Sequence, residues 1–236
     1  MRIYADPMGE SIAEYWQKGK AERLRVFSPL FDEDEIPVEW LFRQLSDMPS
    51  IEQKAIELAR GKTLDVGAGA GCHALALQER GVAVTAIDIS ELSVKTMRER
   101  GVQHAIKQDF FTVTDKYDTI LMLMNGIGIV GTLDRLSTFF NHTNRILAPG
   151  GQVLCDSSDL RYVFENEDGV IDAPYPNRYY GELSYHMQYR QTIGNQFNWL
   201  YIDPKTLTIF AQRHGFKVDI VAEGDNYDFL ARISRR

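Results

Sequence analysis

The sequence predicts an α/β fold built on a doubly wound, mostly parallel sheet of seven strands. Three observations predict it. From residue 63 onward short β-type runs alternate with helical runs, glycine-containing turns separate several of them, and the chain ends in two β-type runs joined by a short turn. A chain of 236 residues, 44% of them hydrophobic, suffices for one large domain with additions. We expect a core over residues 51–236 and an N-terminal helical extension over 1–50.

The alternating region predicts five strands with helices between them. The strands are expected at "TLDVG", "AVTAIDI", "HAIKQD", "YDTILMLM" and "QVLCDS". Helices are expected over 71–80, 91–100 and about 132–147, and in the last of these the apolar residues recur near helical spacing. The segment "APGG" at 148–151 predicts a turn that leads into the fifth strand.

The C-terminal part carries local signals for a helix and a hairpin. In "DPKTLTIFAQRHG", Asp203 is suited to cap a helix, Pro204 to its first position and Gly215 to its end. "FKVDIVAEG" and "YDFLARIS" then predict two strands joined by a tight turn through 224–226. Strands joined in this way are antiparallel, so the last strand is expected to run against its neighbours.

Two segments lie outside this alternation. The first sixty residues look helical, and "FDEDEIPVEWLFRQL" places acids and Pro37 where a helix begins. The insertion over 157–202, after the fifth strand, is rich in aromatic residues, and its second half alternates like two long strands around Gly194 and Asn195. This aromatic segment predicts the wall of a binding pocket, an extension of the sheet, packing against the N-terminal helices or a dimer seam, and the sequence leaves these open.

Composition argues against several classes of function. A net charge of -7 and a pI near 5.3 disfavour binding to nucleic acid. No apolar run reaches the ~20 residues of a membrane-spanning helix, and the start has no basic segment followed by an apolar block, so neither membrane insertion nor a signal peptide is predicted. Cys72 and Cys155 lie in apolar patterns without metal-ligand spacing, which indicates reduced core thiols. We expect a soluble, cytoplasmic protein without a metal site.

The turn after the first strand of the alternation, "TLDVGAGAGC", is typical of a ligand-binding loop. A dinucleotide fingerprint needs glycine at its first, third and sixth places, whereas here Gly67, Gly69 and Gly71 are followed by Cys72 at the sixth. A phosphate-binding P-loop needs a G-K-[ST] sequence, which does not follow. Asp65 places a negative charge beside the turn, which repels a pyrophosphate but suits an ammonium or sulfonium group.

Strand-end acids extend this pattern along the chain. "LDVGAGAG", Asp88 at the end of "AIDIS", Asp109 in "KQDFF" and the antiparallel closing strand together resemble the class I S-adenosylmethionine-dependent methyltransferases, which have a Rossmann-like fold. The resemblance runs from about residue 50 to the C-terminus. It implies S-adenosylmethionine as cofactor and methyl transfer by in-line displacement.

The resemblance also implies roles for particular residues. Asp65 would anchor the turn and help hold the amino group of the cofactor, and Asp88 would accept hydrogen bonds from both ribose hydroxyls. Asp109 would take the adenine amino group, with Ile89 and Phe110 packing against the ring. The end of the fourth strand would lie near the sulfonium. The full set of implied cofactor contacts is Asp65, Gly67, Ala68, Gly69, Gly71, Asp88, Ile89, Asp109, Phe110, Met124 and Asn125.

No catalytic residue is predicted, because orientation alone can contribute up to ~7–11 kcal/mol to such a reaction. The motifs of amino-methylating and cytosine-C5 DNA enzymes are missing after the fourth strand, where the chain reads "NGIG". A small-molecule acceptor is therefore expected, with a protein side chain as an alternative. The residues suggested to contact the acceptor, or to cover it from an N-terminal lid, are Tyr15, Asp156, Tyr179, His186 and Trp199.

Two other readings of the chain stay open at this point. A non-catalytic S-adenosylmethionine-binding sensor or scaffold protein would carry the same cofactor residues, so those residues do not separate it from an enzyme. A nicotinamide-dependent oxidoreductase is the second alternative. A homodimer through the aromatic segment is compatible with all of these readings.

Overall fold

The computed structural model describes residues 5–173, 175 and 177–236. Residues 1–4 of the predicted extension and residues 174 and 176 of the predicted insertion lie outside this description. The helices are α1 Pro7–Lys18, α2 Ser50–Leu58, α3 Cys72–Glu79, α4 Glu91–Glu99, α5 Leu136–Ile146, α6 Arg161–Phe164 and α7 Pro204–Arg213. The strands are β1 Leu24–Phe27, β2 Asp34–Ile36, β3 Thr63–Val66, β4 Val84–Asp88, β5 Ala105–Lys107, β6 Tyr117–Met122, β7 Leu147–Ser158, β8 Glu182–Tyr189, β9 Thr192–Ile193, β10 Phe197–Leu200, β11 Phe216–Glu223 and β12 Asp228–Arg235.

The main sheet has seven strands in the order β11-β12-β7-β6-β3-β4-β5. β3, β4 and β5 pair in parallel, as do β6 and β7. β12 is antiparallel to both of its neighbours, β7 and β11. The predicted Rossmann-like α/β fold, mostly parallel with an antiparallel last strand, is therefore confirmed.

The chain divides into two compact units. The first contains Met1–Pro49, Gly61–Val113 and Ser184–Phe197, and the second contains Ser50–Arg60, Thr114–Leu183 and Asn198–Arg236. No helix within the described residues is both long enough and apolar enough to cross a membrane. Both cysteines are buried and free, as the apolar pattern around them predicted.

The helical prediction for the first sixty residues is correct for α1 and α2 and wrong for the segment between them that contains β1 and β2, which pair antiparallel. The acids expected to begin a helix instead form cross-strand ion pairs, Arg25 with Glu33 and Arg23 with Glu35. The register places Arg25 opposite Glu35, so both ion pairs are diagonal contacts between the two strands. Pro37 precedes a short 3-10 helix, Val38–Phe42, rather than an α-helix.

The aromatic insertion forms strands, but its turn lies earlier than predicted. β8 turns back after Tyr189, and β9 pairs with it at Tyr189 and Thr192, so the chain reverses before Gly194. The other side of β8 pairs antiparallel with β1, where His186 is opposite Phe27. The aromatic strand thus belongs to a second sheet, ordered β10-β8-β1-β2 with β9 on β8, rather than to an extension of the main sheet.

The segment "APGG" is not a separate turn, because β7 already begins at Leu147. Pairing with β6 moves from Tyr117 opposite Leu147 to Thr119 opposite Gln152. Between these two pairs lies one residue of β6, Asp118, but four residues of β7, 148–151, and the extra residues form a bulge. The α7 prediction, in contrast, is confirmed, because the Asp203 carboxylate accepts a hydrogen bond from the Thr206 amide at 2.9 Å.

Candidate functional site

The glycine turn of the first unit begins directly after β3. The amides of Gly67 and Ala68 donate to the carbonyl of Ile87 at 2.9 and 3.0 Å, which fixes the turn against β4. Gly67 has a φ of +68°, and no heavy atom of the described residues lies within 4 Å of the place where its side chain would begin. The backbone is therefore open here to the approach of a ligand.

The third glycine of the turn has a different role. Gly71 has a φ of +85° and immediately precedes α3, and a Cβ added to it would lie 2.9 Å from Val102 Cγ2 and 3.0 Å from Met97 Cγ. The glycine therefore allows the turn to pack against α4 and the loop that follows it. Its predicted contact with a cofactor stays a prediction, whereas its contribution to packing follows from these distances.

Asp88 ends β4, and backbone amides hold its carboxylate. Oδ2 accepts from the amide of Gly69 at 2.9 Å and Oδ1 accepts from the amide of Ser90 at 2.8 Å. Burial raises the pKa of Asp88 to about 6, although these two amides act in the opposite direction. Each carboxylate oxygen still has acceptor capacity. The next residue, Ile89, is 70% exposed, which places an apolar side chain at the same strand end.

Asp65 lies inside the first unit on β3 and is 1% exposed. Its Oδ2 is buried and has no hydrogen-bond partner among the described residues. Burial raises the pKa of Asp65 to about 6, and His73 opposes this increase. A buried carboxylate oxygen without a partner is costly, typically about 1–3 kcal/mol, so this atom is suited to a cation or a donor that the chain itself does not supply.

Asp109 and Phe110, the predicted adenine contacts, differ in exposure. Asp109 is exposed, and its Oδ1 accepts from the amide of Phe111 at 2.8 Å. Phe110 is 1% exposed and its ring meets that of Phe111 edge-on at 5.2 Å between centroids. The Phe110 ring is therefore part of the core, and its predicted packing against an adenine ring stays a prediction.

The start of α1 is attached to the residue that follows Ile89. The carboxylate of Asp6 caps α1 by accepting from the amide of Gly9 at 2.8 Å, and it also accepts from the hydroxyl of Ser90. The same hydroxyl accepts from the amide of Ser93 at 3.0 Å and so caps α4. Sequence analysis did not select Ser90, although a serine before a helical run is a recognised capping signal.

Arg100 supports the glycine turn from the other side. Its guanidinium donates to the carbonyl of Ala70 and lies 4.6 Å from the centre of the Phe42 ring. Burial lowers the pKa of this guanidinium. No local pattern in the sequence points to Arg100, because its partners are about 30 and 58 residues away along the chain.

Two residues predicted to contact the acceptor, Tyr15 and His186, belong to the first unit and are engaged in packing. The ring of Tyr15 lies 4.6 Å from that of Phe42, and Tyr15 contacts a buried cluster that includes Leu24. The ring of His186 stacks on Phe27 at 4.8 Å and an interplanar angle of 9°. These contacts favour a structural role for both residues.

The end of β6 in the second unit carries a strained turn. Met124 and Asn125 have φ values of +63° and +56°, a left-handed conformation that is unusual for residues other than glycine. Asp156 of β7 accepts from the amide of Gly126 at 3.0 Å, and the hydroxyl of Ser158 donates to Asn125 Oδ1 at 3.3 Å. β7 therefore holds the turn in place, and strain of this kind is concentrated at functional sites.

Trp199 lies against the short 3-10 helix Gly126–Val130 that follows this turn. A Cβ added to Gly128 would lie 2.0 Å from Nε1 of Trp199. The absence of a side chain at Gly128 therefore allows the indole of Trp199 to pack directly against this helix. The predicted contact of Trp199 with the acceptor stays a prediction.

Tyr179 and Tyr180 are hydrogen-bonded to carboxylates. The hydroxyl of Tyr179 donates to Asp203 Oδ2 and accepts from the amide of Asp203 at 2.9 Å. The hydroxyl of Tyr180 donates to Asp159 Oδ1 at 2.7 Å, and the two tyrosine rings are 4.4 Å apart. Burial, together with these carboxylates, raises the pKa of both tyrosines. Neither hydroxyl is therefore suited to act as a general base near neutral pH.

Comparison with known proteins agrees with this arrangement. A family model described as a methyltransferase domain matches residues 63–151. The ubiquinone biosynthesis O-methyltransferase of Pseudomonas aeruginosa is 28% identical over 176 residues, which are 70% of this chain and 67% of that protein. The CcbJ methyltransferase of Streptomyces caelestis is 14% identical and shares the fold, with a TM-score of 0.64 and 98% of both chains covered.

A solved structure of a methyltransferase is also similar to this chain. A SAM-dependent methyltransferase from Bacteroides fragilis, crystallised in complex with S-adenosyl-L-homocysteine, is 52% identical to this chain. The match covers 98% of this chain and 95% of that one, with a TM-score of 0.92. Because sequence and fold agree over nearly the whole length, this protein belongs to the class I S-adenosylmethionine-dependent methyltransferases.

Proposed function

We propose that the enzyme binds S-adenosylmethionine at the carboxyl ends of β3, β4 and β5 and transfers its methyl group to a small molecule. The observation that carries the binding proposal is the buried Oδ2 of Asp65, which has no partner among the described residues. A cationic ligand would satisfy it, and the ammonium group of the cofactor is such a ligand. The complex of the Bacteroides fragilis relative with S-adenosyl-L-homocysteine supports the same ligand here.

The chain's own residues account for binding and orientation. Gly67 leaves its backbone open to the amino-acid portion, and Asp88 presents a carboxylate that two amides already hold in position. Exposed Ile89 offers an apolar surface, and exposed Asp109 offers an acceptor for an adenine amino group. When bound, S-adenosylmethionine supplies a methyl group on a positively charged sulfur, so the protein needs only to align an acceptor with it.

The proposed acceptor is a small aromatic or amphipathic molecule methylated at oxygen, nitrogen or carbon. Oxygen is favoured because the curated relative from Pseudomonas aeruginosa is named an O-methyltransferase. The hydroxyls of Tyr179 and Tyr180 are occupied by carboxylates. We therefore infer that Asp156 and the Met124–Asn125 turn act through alignment of the reactants rather than through proton transfer.

The cofactor assignment can be tested by calorimetry with S-adenosylhomocysteine. Asp88→Ala is expected to weaken binding by about 1.5–3 kcal/mol, because charge-assisted hydrogen bonds are lost. Asp225→Ala removes an exposed carboxylate from the turn between β11 and β12 and serves as the control. Equal affinities for wild type and Asp88→Ala, or tighter binding of NADH than of S-adenosylhomocysteine, would contradict the proposal.

Catalysis and acceptor class can be tested with S-adenosylmethionine labelled in its methyl group. We expect label to enter the small-molecule fraction of a cell extract, and hydroxylated aromatic compounds to be methylated in the purified system. Label found only in the protein fraction would indicate that the acceptor is a protein side chain rather than a small molecule. If S-adenosylhomocysteine binds but no product of any class forms, the non-catalytic alternative would be favoured.

We further propose that α1 covers the cofactor as a lid and that the protein acts in the cytoplasm. The attachment of Asp6 to Ser90, two residues from Asp88, supports the lid, and two buried free thiols support a reducing compartment. Removing residues 1–30 would also delete β1, which pairs with β8, so a point substitution at Ser90 tests the lid more directly.

Cell fractionation tests the proposed cytoplasmic location, and sedimentation tests the predicted homodimer.

A further inference from the structure

The second unit contains a pocket at the edge of the sheet where β6 and β7 begin. It is lined by residues at the start of β7, the start of β11, the end of β12 and the residue Arg60 shortly after α2. Because β6 and β7 are parallel, Asp156 and Met124 lie toward the opposite ends of these strands. The pocket has a volume of about 490 Å³, which is within the usual range for small-molecule sites.

The lining is strongly cationic in a chain whose net charge is -7. Arg60, Lys217, Arg232, Arg235 and Arg236 all line this pocket. Concentration of one sign of charge in a concave site focuses the electrostatic field and raises the local concentration of ions of opposite charge. This part of the surface is therefore positively charged although the protein as a whole is acidic.

Only part of this positive charge is balanced by acids. Arg232 and Lys217 share the carboxylate of Asp219, at 3.2 and 3.6 Å. Arg235 donates to the carbonyls of Asn144, Leu147 and Ala148 and to the side chain of Asn144, so it contributes charge more than free donors. Arg60 donates to the carbonyl of Gly150 at 3.1 Å. Carbonyl partners orient a guanidinium without cancelling its charge, so the pocket keeps a surplus of fixed cations.

The bulge in β7 forms another part of the pocket. Gly150 lies in it, and within the described part of the chain no heavy atom comes closer than 4 Å to where its side chain would begin. A ligand can therefore approach the backbone between the arginines. Bulges in strands are more frequent near binding sites than elsewhere in sheets.

We propose that this pocket binds a small molecule with a di- or triphosphate group. Among the described residues, five cations with one shared acid match a ligand of three or four negative charges. Arginine favours phosphate because its planar donors can meet two oxygens at once. A carboxylate of single charge would leave most of the cations unpaired. The site goes beyond methyl transfer and involves none of the residues assigned to the cofactor.

Calorimetry with inorganic tripolyphosphate and inorganic phosphate, on the full-length protein at low and physiological salt, tests the proposal. We expect tripolyphosphate to bind at least tenfold more tightly than phosphate, and added salt to weaken this binding. The double variant Arg60→Gln and Lys217→Gln should lose tenfold or more in affinity. Lys95→Gln, an exposed lysine of α4, is the control and should bind as the wild type does.

Binding of S-adenosylhomocysteine by each variant serves as the check on folding and separates this proposal from the proposed function. Normal S-adenosylhomocysteine binding with lost tripolyphosphate binding in the double variant supports the pocket. No measurable tripolyphosphate binding by wild type, or equal weakening in Lys95→Gln, would overturn it. A short single-stranded oligonucleotide that binds more tightly than tripolyphosphate would overturn the assignment to a small molecule.

Discussion

In the first unit, one carboxylate of β3 has a buried oxygen that the described part of the chain leaves unsatisfied, whereas the acids at and after the end of β7 in the second unit accept hydrogen bonds from neighbouring groups of the chain. Asp65 has a buried oxygen without a partner among the described residues. Asp156 and Asp159 accept from a backbone amide and from the hydroxyl of Tyr180. The two units therefore use similar residues at strand ends for different purposes.

The difference identifies which acids of the first unit a bound ligand would stabilise. Burial raises the pKa of Asp65 and Asp88 to about 6, so keeping either acid ionised at neutral pH costs the free protein stability that a cationic or donating ligand can restore. The occupied acids of the second unit make a fixed framework instead. Specificity for the acceptor should accordingly depend on shape there more than on titratable groups.

The largest expected effect compares two glycines of the same turn. Gly71→Ala should lower the free energy of unfolding by about 3 kcal/mol, since a left-handed backbone and contacts with Val102 and Met97 both oppose a Cβ. Gly67→Ala should cost only about 1 kcal/mol, because its surroundings are open. Denaturant unfolding measures both. Equal losses of stability in the two variants would mean that Gly71 is no more tightly packed than Gly67.

The next prediction uses the pKa of Asp65. Because its folded pKa lies above the value of an ordinary aspartate, the folded state holds the proton more tightly, and stability is lost as pH rises from about 4 through 6. Asp65→Asn removes this loss. At pH 4 the free energy of unfolding of Asp65→Asn should be close to that of wild type. At pH 7.5 the variant should be more stable than wild type by about 2 kcal/mol. A difference that does not change with pH would contradict the buried, titrating acid.

Asp65→Asn also tests whether Asp65 contacts the cofactor, when its stability is measured with and without ligand. Saturating S-adenosylhomocysteine should reduce the advantage of Asp65→Asn at pH 7.5, because the proposed ammonium contact favours the ionised acid. Thermal unfolding with and without ligand measures this change. If the ligand leaves the difference in stability between Asp65→Asn and wild type unchanged, Asp65 does not contact the cofactor.

A smaller effect is expected at Ser90. Ser90→Ala removes the cap of α4 and the attachment of Asp6, and should cost about 1–2 kcal/mol of stability. If α1 is a lid, S-adenosylhomocysteine should also dissociate severalfold faster in stopped-flow measurements. Ser90→Thr keeps the hydroxyl and should restore the slow rate. A dissociation rate that Ser90→Ala leaves unaltered would limit α1 to packing.

The smallest effect tests the second unit. Tyr180→Phe deletes the hydroxyl that donates to Asp159 and should lower stability by about 0.5–1.5 kcal/mol. Affinity for S-adenosylhomocysteine should not change, because this pair is part of the framework. Calorimetry and denaturant unfolding on one preparation give both values. A marked loss of cofactor affinity would show that the tyrosine does more than support the framework.

Several features followed directly from local sequence. The turn after β3, the strand end at Asp88, the cap of α7 and the antiparallel last strand were all predicted, because each depends on residues close together in the chain. The cofactor family was identified on the same basis. These features can be recognised without knowledge of the fold, because turns, caps and strand ends depend on local backbone geometry.

Other features were decided only when distant segments met. Pairing with neighbouring strands placed β1 and β2 where the acids alone suggested a helix, and β1 pairs with β8 more than 150 residues away along the chain. Arg100 reached the glycine turn, and Trp199 filled the space over Gly128. The sequence by itself determined the glycine turn after β3 and the class of fold. The tertiary structure decided which side chains have hydrogen-bond partners and which remain available, because pairing and burial depend on surfaces that no local pattern describes.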